Sequence, residues 1–543
     1  MGHKLVREES RTHKNLIKNI YDIYKELIDI CISIYMLFVI IVIPIYHVNG
    51  YYGIATSKEM AFMKVARGLL VLFAVEIVLA GLSLFFNKKS WKEKRKKISC
   101  SLSITEWCAI CFGIVLCCSF LFTDYRTDAL WGAEGWHMGF LVQITFLFVF
   151  FQIVHIWKKR LWIPAMIFPV SMIQFLLGYL NRFDIYPFEM PGSNPSFISL
   201  IGNINWYCGY MVTVLFAAVY LVWKGIANKV WEKVFLYGYL LIGFASLVTQ
   251  GSSSGIMTLA GVLVLLFYLS VQDGIKMYSL CCVALVLSVA CLFTWIVRQY
   301  APDAITYREP STELLTNTML PLILTVLFVG MVICLNRLVR INRYPKRMAV
   351  GFAKGITVIL VAAIVAFIFI MAFNGMFPGR LGILSKVSLL NFSPEWGSKR
   401  GATWMAGLMC FAEQGIGKKL IGIGPDCMGI YAKLDAGEQI KTLIMEQFAT
   451  LNLTNAHNEW ITVLVDYGIL GFVAYVGMII SAIIRYVKIG IKGTGARAWV
   501  AGAFGLGIFA YTIHNMVSFQ QVLNTSIMYI LLGIGEAYAK SDK

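Results

Sequence analysis

The sequence predicts an all-α polytopic membrane protein, because of its overall hydropathy, the length of its apolar runs and the placement of its basic residues. Of 543 residues, 59% are hydrophobic and 14% charged, whereas soluble domains are nearer half apolar and a quarter charged. The chain divides into apolar runs of about twenty residues, the length that crosses a hydrocarbon core of about 30 Å. Glycine and proline follow no period and cysteine is dilute, which excludes fibrous, disordered and disulfide-stapled classes.

The apolar runs predict about fourteen transmembrane helices. They lie at 26–48, 61–86, 104–123, 137–155, 162–180, 206–223, 233–249, 253–271, 277–297, 319–336, 355–373, 460–484, 498–513 and 519–538. We therefore divide the chain into a basic N-terminal segment (1–25), a bundle of about eleven spans (26–373), a long loop (374–459) and three C-terminal spans (460–543).

Basic residues give this bundle an orientation. With the N-terminus in the cytoplasm, the inner segments hold 32 of the 47 Lys and Arg, and 8 of the remainder lie in the long loop. The positive-inside rule therefore places both termini and the run Lys88–Lys97 in the cytoplasm, and the long loop outside. The net charge of +18 is spread over many connectors, so we expect the lipid bilayer, and not nucleic acid, as the partner. No cleavable signal peptide is visible, and the first span is expected to act as a signal anchor.

Cysteine usage favours packing over chemistry. Cys108 and Cys111 have redox-motif spacing, but they lie within a span, where a thiol behaves as a small apolar group. Cys410 and Cys427 fall in the long loop and allow at most one disulfide there. No group of residues has zinc spacing or resembles an acidic metal-binding pair, so no metal is expected.

The long loop is expected to carry amphipathic helices. Residues 398–413 predict one helix with Ser398 as its cap, and 436–450 predict a second, shorter one. Such helices would lie on the outer membrane surface with their apolar faces down.

Arg400 is the first candidate functional residue. It falls in the first turn of the 398–413 helix, where unpaired backbone N–H groups already favour an anion. A guanidinium at that place suits a diphosphate, since its planar fork matches two phosphate oxygens. The alternative is an interfacial arginine bound to a lipid headgroup or to Glu395.

His457 is the second candidate. With Thr454 or Asn455 as the cap, it falls in the first turn of the twelfth span, at the membrane rim. A helix N-terminus disfavours the imidazolium, which lowers the pKa and keeps the ring neutral and able to accept a proton. The alternative is a capping or water-facing histidine.

Several motifs of the sequence resemble the O-antigen ligase and polymerase superfamily. The specific block is 398–471, with Arg400 and Trp404, the turn at 420–425, the run Asn455-Ala-His-Asn458 and the span segment at 465–471. Weaker similarity lies at 128–139 and at 202–209, and the whole match extends over roughly 125–535.

This resemblance implies a GT-C-like membrane glycosyltransferase of the bacterial cytoplasmic membrane, with its active site on the extracytoplasmic face. The donor would be a glycan on undecaprenyl diphosphate, and the acceptor a glycan, lipid or protein hydroxyl. No cofactor and no metal would be needed, and direct displacement would invert the anomeric centre. His457 would be the base and Arg400 the diphosphate clamp. Substrate-binding positions would be Asn455, Asn458, Trp404 and Asn205, and Ser254 stands where the family often has an arginine, with Arg298 and Arg380 as candidates to replace it.

The main alternative is a lipid-linked oligosaccharide flippase, which can also have fourteen spans. A flippase should show two-fold internal repetition and charges deep in its spans; no repetition is visible, and Glu76 is the clearest intramembrane acid. A scaffold without activity gives no reason for the placement of Arg400 and His457. Polymerase and ligase both fit the sequence.

Overall fold

The protein is a helical bundle, as a computed structural model covering residues 2–86, 102–133, 137–301, 305 and 309–541 shows. The basic run Lys88–Lys97 lies outside the described residues. A two-stranded antiparallel sheet pairs Phe197–Ile198 with Gly202–Asn203. The longer helices are Gly2–Leu37, Ile54–Phe86, Ile104–Leu121, Phe140–His155, Ile167–Arg182, Ile204–Lys224, Val230–Thr249, Ser253–Ser270, Gly274–Tyr300, Leu320–Arg340, Lys346–Met376, Trp396–Glu413, Glu438–Phe448, Glu459–Lys492, Gly495–His514 and Val522–Ala539.

Shorter helices connect these elements. Gly2–Leu37 continues through a π-helical turn at Phe38–Val42 into Ile43–Ile45. The remaining short α-helices are Arg126–Trp131, Trp162–Ala165, Pro310–Thr316, Ile416–Ile421 and Met428–Leu434, and two 3₁₀ turns lie at Gly382–Lys386 and Ser388–Leu390.

The prediction of an all-α polytopic membrane protein is confirmed. Within the described residues, 12 helices are long and apolar enough to cross a membrane. The other two predicted spans coincide with Ile54–Phe86 and with Phe140–His155, a helix of 16 residues. At 1.5 Å per residue that shorter helix reaches about 24 Å, less than a hydrocarbon core of about 30 Å.

Two helices whose apolar stretches are wholly buried, Ile204–Lys224 and Val522–Ala539, form the centre of the bundle. Gly495–His514 packs against both, and glycines allow the close approach: a Cβ at Gly502 would come within 2.1 Å of the Tyr220 ring. Such small residues let helices approach where there is no hydrophobic driving force between them. The centre of the bundle is therefore set by the C-terminal helices and one helix from the middle of the chain.

One helix pair stands outside this packing. None of the apolar stretch of Leu320–Arg340 or Lys346–Met376 is buried within the protein. Leu320–Arg340 packs on one side against Gly274–Tyr300, and a five-residue turn at 341–345 connects it to Lys346–Met376. Apolar helices with so little protein around them face lipid.

Ion pairs join helix ends on the side opposite the long loop. Glu106 accepts hydrogen bonds from Lys540 at 2.8 Å and lies 2.7 Å from the His155 imidazole. Arg160 donates to Asp29 at 2.7 Å. The charge distribution predicts that all these helix ends lie on the cytoplasmic side. Their contacts with one another agree with the predicted alternation of inward-going and outward-going spans.

Candidate functional site

The long loop has a hydrophobic core of its own. Its helices enclose Cys410, Ile423, Cys427, Met428 and Ile444, all of which are buried. We expected the apolar faces of these helices to lie on the membrane, whereas much of that surface packs within the loop and against the start of Glu459–Lys492. Cys410 and Cys427 are both free thiols, so the disulfide that the sequence allowed is not formed.

Two buried carboxylates fix the loop to the bundle. Asp426 Oδ2 accepts hydrogen bonds from the backbone N–H groups of Ala133 and Met138 at 2.8 and 2.9 Å. Asp466, within the Glu459–Lys492 helix, accepts from the backbone N–H of Met428 at 2.9 Å. The sequence analysis did not single out either acid. They hold the loop and the segment before Phe140–His155 in one arrangement.

Arg400 follows an abrupt change of backbone direction. Gly397, Ser398 and Lys399 have φ angles of 59°, 60° and 70°, so the first turn of Trp396–Glu413 is interrupted and regular helix begins at Arg400. The prediction that Ser398 caps this helix is therefore wrong, since three successive left-handed residues replace the expected extended cap. The Arg400 guanidinium donates from Nε to the carbonyl oxygen of Val517 at 3.0 Å and from a terminal nitrogen to that of Gly397 at 3.1 Å.

His457 precedes the transmembrane helix instead of lying in its first turn. The cap is Asn458, whose side-chain oxygen accepts from the backbone N–H groups of Trp460 and Ile461 at 3.0 and 3.2 Å. The prediction of Thr454 or Asn455 as the cap is therefore wrong. Asn455 instead accepts from the backbone N–H of His457 at 2.9 Å.

The His457 ring is held in a neutral state. Its backbone has a left-handed φ of 47°, and its ring meets Phe519 edge to face at 4.9 Å between centroids. Burial lowers the pKa of His457 to about 4, and the nearby Arg400 charge acts in the same direction. The cause of the lowered pKa is therefore burial and the Arg400 charge, and not the helix N-terminus that the sequence analysis invoked.

Arg400, His457 and Asn205 line one cavity of about 210 Å³, which we call the Arg400 cavity. Its other lining residues are Ile204, Gly251, Ser252, Ser253, Glu309, Ser398, Lys399, Thr403 and Phe448. Residues separated by more than 250 positions in the chain thus meet at the loop side of the bundle. Two of them are cations, and the second is Lys399, which sequence reasoning missed.

Ser254 does not line the Arg400 cavity but contacts Ser252, which does. It is buried, and its hydroxyl is 2.7 Å from that of Ser252, which in turn donates to Asn205 at 3.0 Å. Arg182 contacts the serine-rich turn that begins after Gln250. Its guanidinium donates to the carbonyl oxygens of Gln250 and of Pro195, the latter at 2.7 Å. The serine-rich turn therefore presents Ser252 and Ser253, and not Ser254, to the cavity.

The expected replacement arginines lie elsewhere. Arg298 is 2% exposed. Its guanidinium donates to both carboxylate oxygens of Glu313, at 2.9 and 3.1 Å, and to the hydroxyl of Thr316. Arg380 lies over the Phe377 ring at 5.2 Å. Neither lines the Arg400 cavity. Lys399 does line it, with its ammonium 5.5 Å from the centroid of the Phe448 ring, and could supply the second positive charge there.

Trp404, Asn455 and Asn458 do not line the Arg400 cavity either. Trp404 packs on Trp396 with 5.3 Å between ring centroids. The two asparagines act on the backbone around His457, as described above. Asn455 therefore positions the backbone of His457, and Asn458 fixes the start of the helix that follows it.

The chemistry available in the Arg400 cavity is that of two cations, a neutral imidazole, a carboxylate and several hydroxyls. Arginine and lysine suit a phosphate-type anion, and a neutral imidazole can accept a proton from a hydroxyl. Within the described residues, no group of three or more His, Cys, Asp or Glu could hold a metal ion. No protein-family model and no curated protein matches the chain.

Proposed function

We propose that the protein is a membrane glycosyltransferase that moves a glycan from a polyprenyl diphosphate onto an acceptor hydroxyl. The observation that carries the proposal is the meeting of Arg400, Lys399 and the neutral His457 in one cavity at the loop side of the bundle. Two of these residues, Arg400 and His457, lie in the sequence motifs that resemble those of O-antigen ligases and polymerases. Both ligase and polymerase chemistry fit the proposal.

In the proposed reaction the acceptor oxygen attacks the anomeric carbon, and the bond from that carbon to the diphosphate oxygen breaks. The acceptor proton passes to His457, and the polyprenyl diphosphate leaves as an anion beside Arg400 and Lys399. Preorganised cations stabilise charge that develops on a leaving group. Direct displacement at this carbon would invert its configuration.

The low pKa of His457 fits such a cycle only if the donor raises it. An imidazole with a pKa of about 4 is a weak base. A bound diphosphate would offset the Arg400 charge and place negative charge close to the ring, and both effects favour the protonated form. The donor would therefore increase the basicity of His457 in the complex in which proton transfer occurs.

The test is a transfer assay with purified protein in detergent, using a lipid-linked glycan donor, several acceptors and no nucleotide sugar. We expect a new glycosidic bond, and His457→Ala should lower the rate by about 10²–10⁴-fold, the usual contribution of general acid–base catalysis. His47→Ala is the matched control, because His47 does not line the cavity. A wild-type protein that forms no bond, yet moves lipid-linked glycan across liposomes, would identify a flippase and refute the proposal.

A further inference from the structure

A second cavity lies beside the Ile54–Phe86 helix and shares no lining residue with the Arg400 cavity. It has a volume of about 380 Å³, within the range of small-ligand sites. Its lining includes Glu59, Met60, Lys64, Arg67, Trp131 and His137. We call it the lateral groove.

Two cations stand in this groove at one helical turn of separation. Lys64 and Arg67 are both exposed, and they lie ten and thirteen residues after the start of the helix at Ile54. They are three and six residues inside the predicted span 61–86, which at 1.5 Å per residue is about 4.5 and 9 Å from its outer end, close to the headgroup level. Within the described part of the chain, no carboxylate forms an ion pair with either. Charges at membrane depth are costly and mark ligand sites when they lack a protein counter-ion.

The acid in the groove is already engaged. Glu59 is 5% exposed, and its carboxylate lies 3.3 Å from the His137 imidazole. Among the described lining residues, the exposed charges are therefore the two positive ones of Lys64 and Arg67. This excess would attract an anion.

An aromatic ring keeps the arginine inside the groove. The Arg67 guanidinium lies 5.3 Å from the centroid of Trp131, in cation–π range. A long basic side chain can otherwise extend along the helix to the water interface. Val71 and Val75 follow Arg67 on the same helix face, one and two turns further into the span, and their exposed side chains offer an apolar surface for a hydrocarbon chain.

We propose that the lateral groove binds the phosphate headgroup of an anionic membrane lipid, with Lys64 and Arg67 on the phosphate and the chain along the Ile54–Phe86 helix. The site is separate from the proposed glycosyl transfer and does not depend on it. A phospholipid and a polyprenyl phosphate share this chemistry, and the experiment below distinguishes them.

The test measures lipid binding to the purified full chain by native mass spectrometry, with phosphatidylglycerol, undecaprenyl phosphate and phosphatidylcholine as separate probes. We expect saturable binding of one anionic lipid with at least tenfold preference over phosphatidylcholine. Preference for phosphatidylglycerol would identify a bulk phospholipid, and preference for undecaprenyl phosphate would identify a carrier lipid. Either preference supports the site.

The variant K64Q/R67Q should lower the affinity for the anionic lipid at least tenfold. Its matched control is R337Q/R340Q, which removes two exposed cations at the same spacing on a lipid-facing helix. Trp131→Leu removes the ring under Arg67 and should weaken binding by a smaller factor, about threefold, while Lys64 remains. Equal binding by K64Q/R67Q and wild type, or equal losses in both double variants, would overturn the proposal.

Discussion

Two backbone carbonyl oxygens, of Val517 and Gly397, accept hydrogen bonds from the Arg400 guanidinium and fix the direction of the side chain in the Arg400 cavity. If Arg400 stabilises a departing diphosphate, Arg400→Ala should reduce transfer by about 10²–10³-fold, the usual loss when one preorganised donor is removed. Arg400→Lys should restore only part of this, because an ammonium lacks the planar fork.

Arg380→Ala is the matched control for Arg400→Ala, since Arg380 belongs to the same loop but does not line the cavity. Its transfer rate should stay within about twofold of wild type, as is usual for a substitution away from the site. Equal activity of the Arg400→Ala and wild-type proteins, measured at matched protein levels, would reduce Arg400 to a structural contact between the loop and Val517.

The depressed pKa of His457 predicts an unusual pH dependence. In the free protein the pKa is about 4, so kcat/KM should stay level from pH 8 to about 5 and fall only as His457 becomes protonated near pH 4. If the donor raises this pKa, the acid limb of kcat should lie at higher pH than that of kcat/KM, because the two parameters report the complex and the free protein respectively. A pH–rate series with saturating and limiting donor measures both.

His457→Gln serves as the control for the pH–rate series. Glutamine keeps hydrogen bonding but accepts no proton, so any residual rate should lack the acid limb. A residual rate with the same limb as wild type would assign the pH dependence to another group.

At the scale of elements, Asp426 ties the long loop to the segment before Phe140–His155. Burial raises the pKa of Asp426 to about 7, although two backbone N–H groups act in the opposite direction. The carboxyl group therefore contributes stability that is present below the unfolded pKa of about 4 and is lost as pH rises through about 7. Asp426→Asn keeps an oxygen for both N–H groups and removes the charge, so its melting temperature should fall less than that of wild type between pH 5 and 8.

Glu446→Gln is the control for this element, because Glu446 is an exposed acid of the same loop. It should keep the wild-type change in melting temperature between pH 5 and 8. If Asp426→Asn also kept it, ionisation of Asp426 would not be the cause of the loss of stability between pH 5 and 8.

The differences between the predicted and observed site arise at element ends. Arg400 and His457 were identifiable because each follows a polar motif at the start of an apolar segment. Lys399 was missed because only the left-handed backbone at 397–399 turns it into the cavity. Arg298 was misjudged because its partner Glu313 lies in a short helix, Pro310–Thr316, that the sequence did not predict. Contacts of this kind are tertiary, and local sequence patterns do not encode them.

At the scale of the whole molecule, the helices were predictable because each span must satisfy its own backbone hydrogen bonds in lipid, which leaves a simple length and hydropathy signal. The site was only partly predictable, since Asn205, Ser252, Arg400 and His457 come from four separate segments. Their convergence depends on the order in which helices pack. The glycine contacts between Ile204–Lys224 and Gly495–His514 determine that these two helices pack against each other. A single sequence does not reveal which helices pair in this way.

The charge distribution predicts a definite orientation for this assembly. A cysteine introduced at Lys92 should react only with a reagent that enters the cytoplasm, whereas one at Glu438, an exposed position of the long loop, should also react with an impermeant reagent added outside. The measurement is labelling of intact cells in a background without reactive native cysteines. Labelling of position 92 from outside would reverse the orientation and place the Arg400 cavity in the cytoplasm.

The turn at 341–345 is a suitable place to divide the gene, because the two helices that it connects, Leu320–Arg340 and Lys346–Met376, face lipid. Neither helix buries its apolar stretch in the protein, so a break in the 341–345 turn removes few contacts, and chain breaks succeed where the backbone carries little packing. The two halves, 1–342 and 343–543, keep the buried contact of Ile204–Lys224 with Gly495–His514 as their mutual interface. Co-expressed from separate promoters, they should co-purify through a tag on either one. Arg400 and His457 would then come from one polypeptide, and Asn205 and Ser252 from the other.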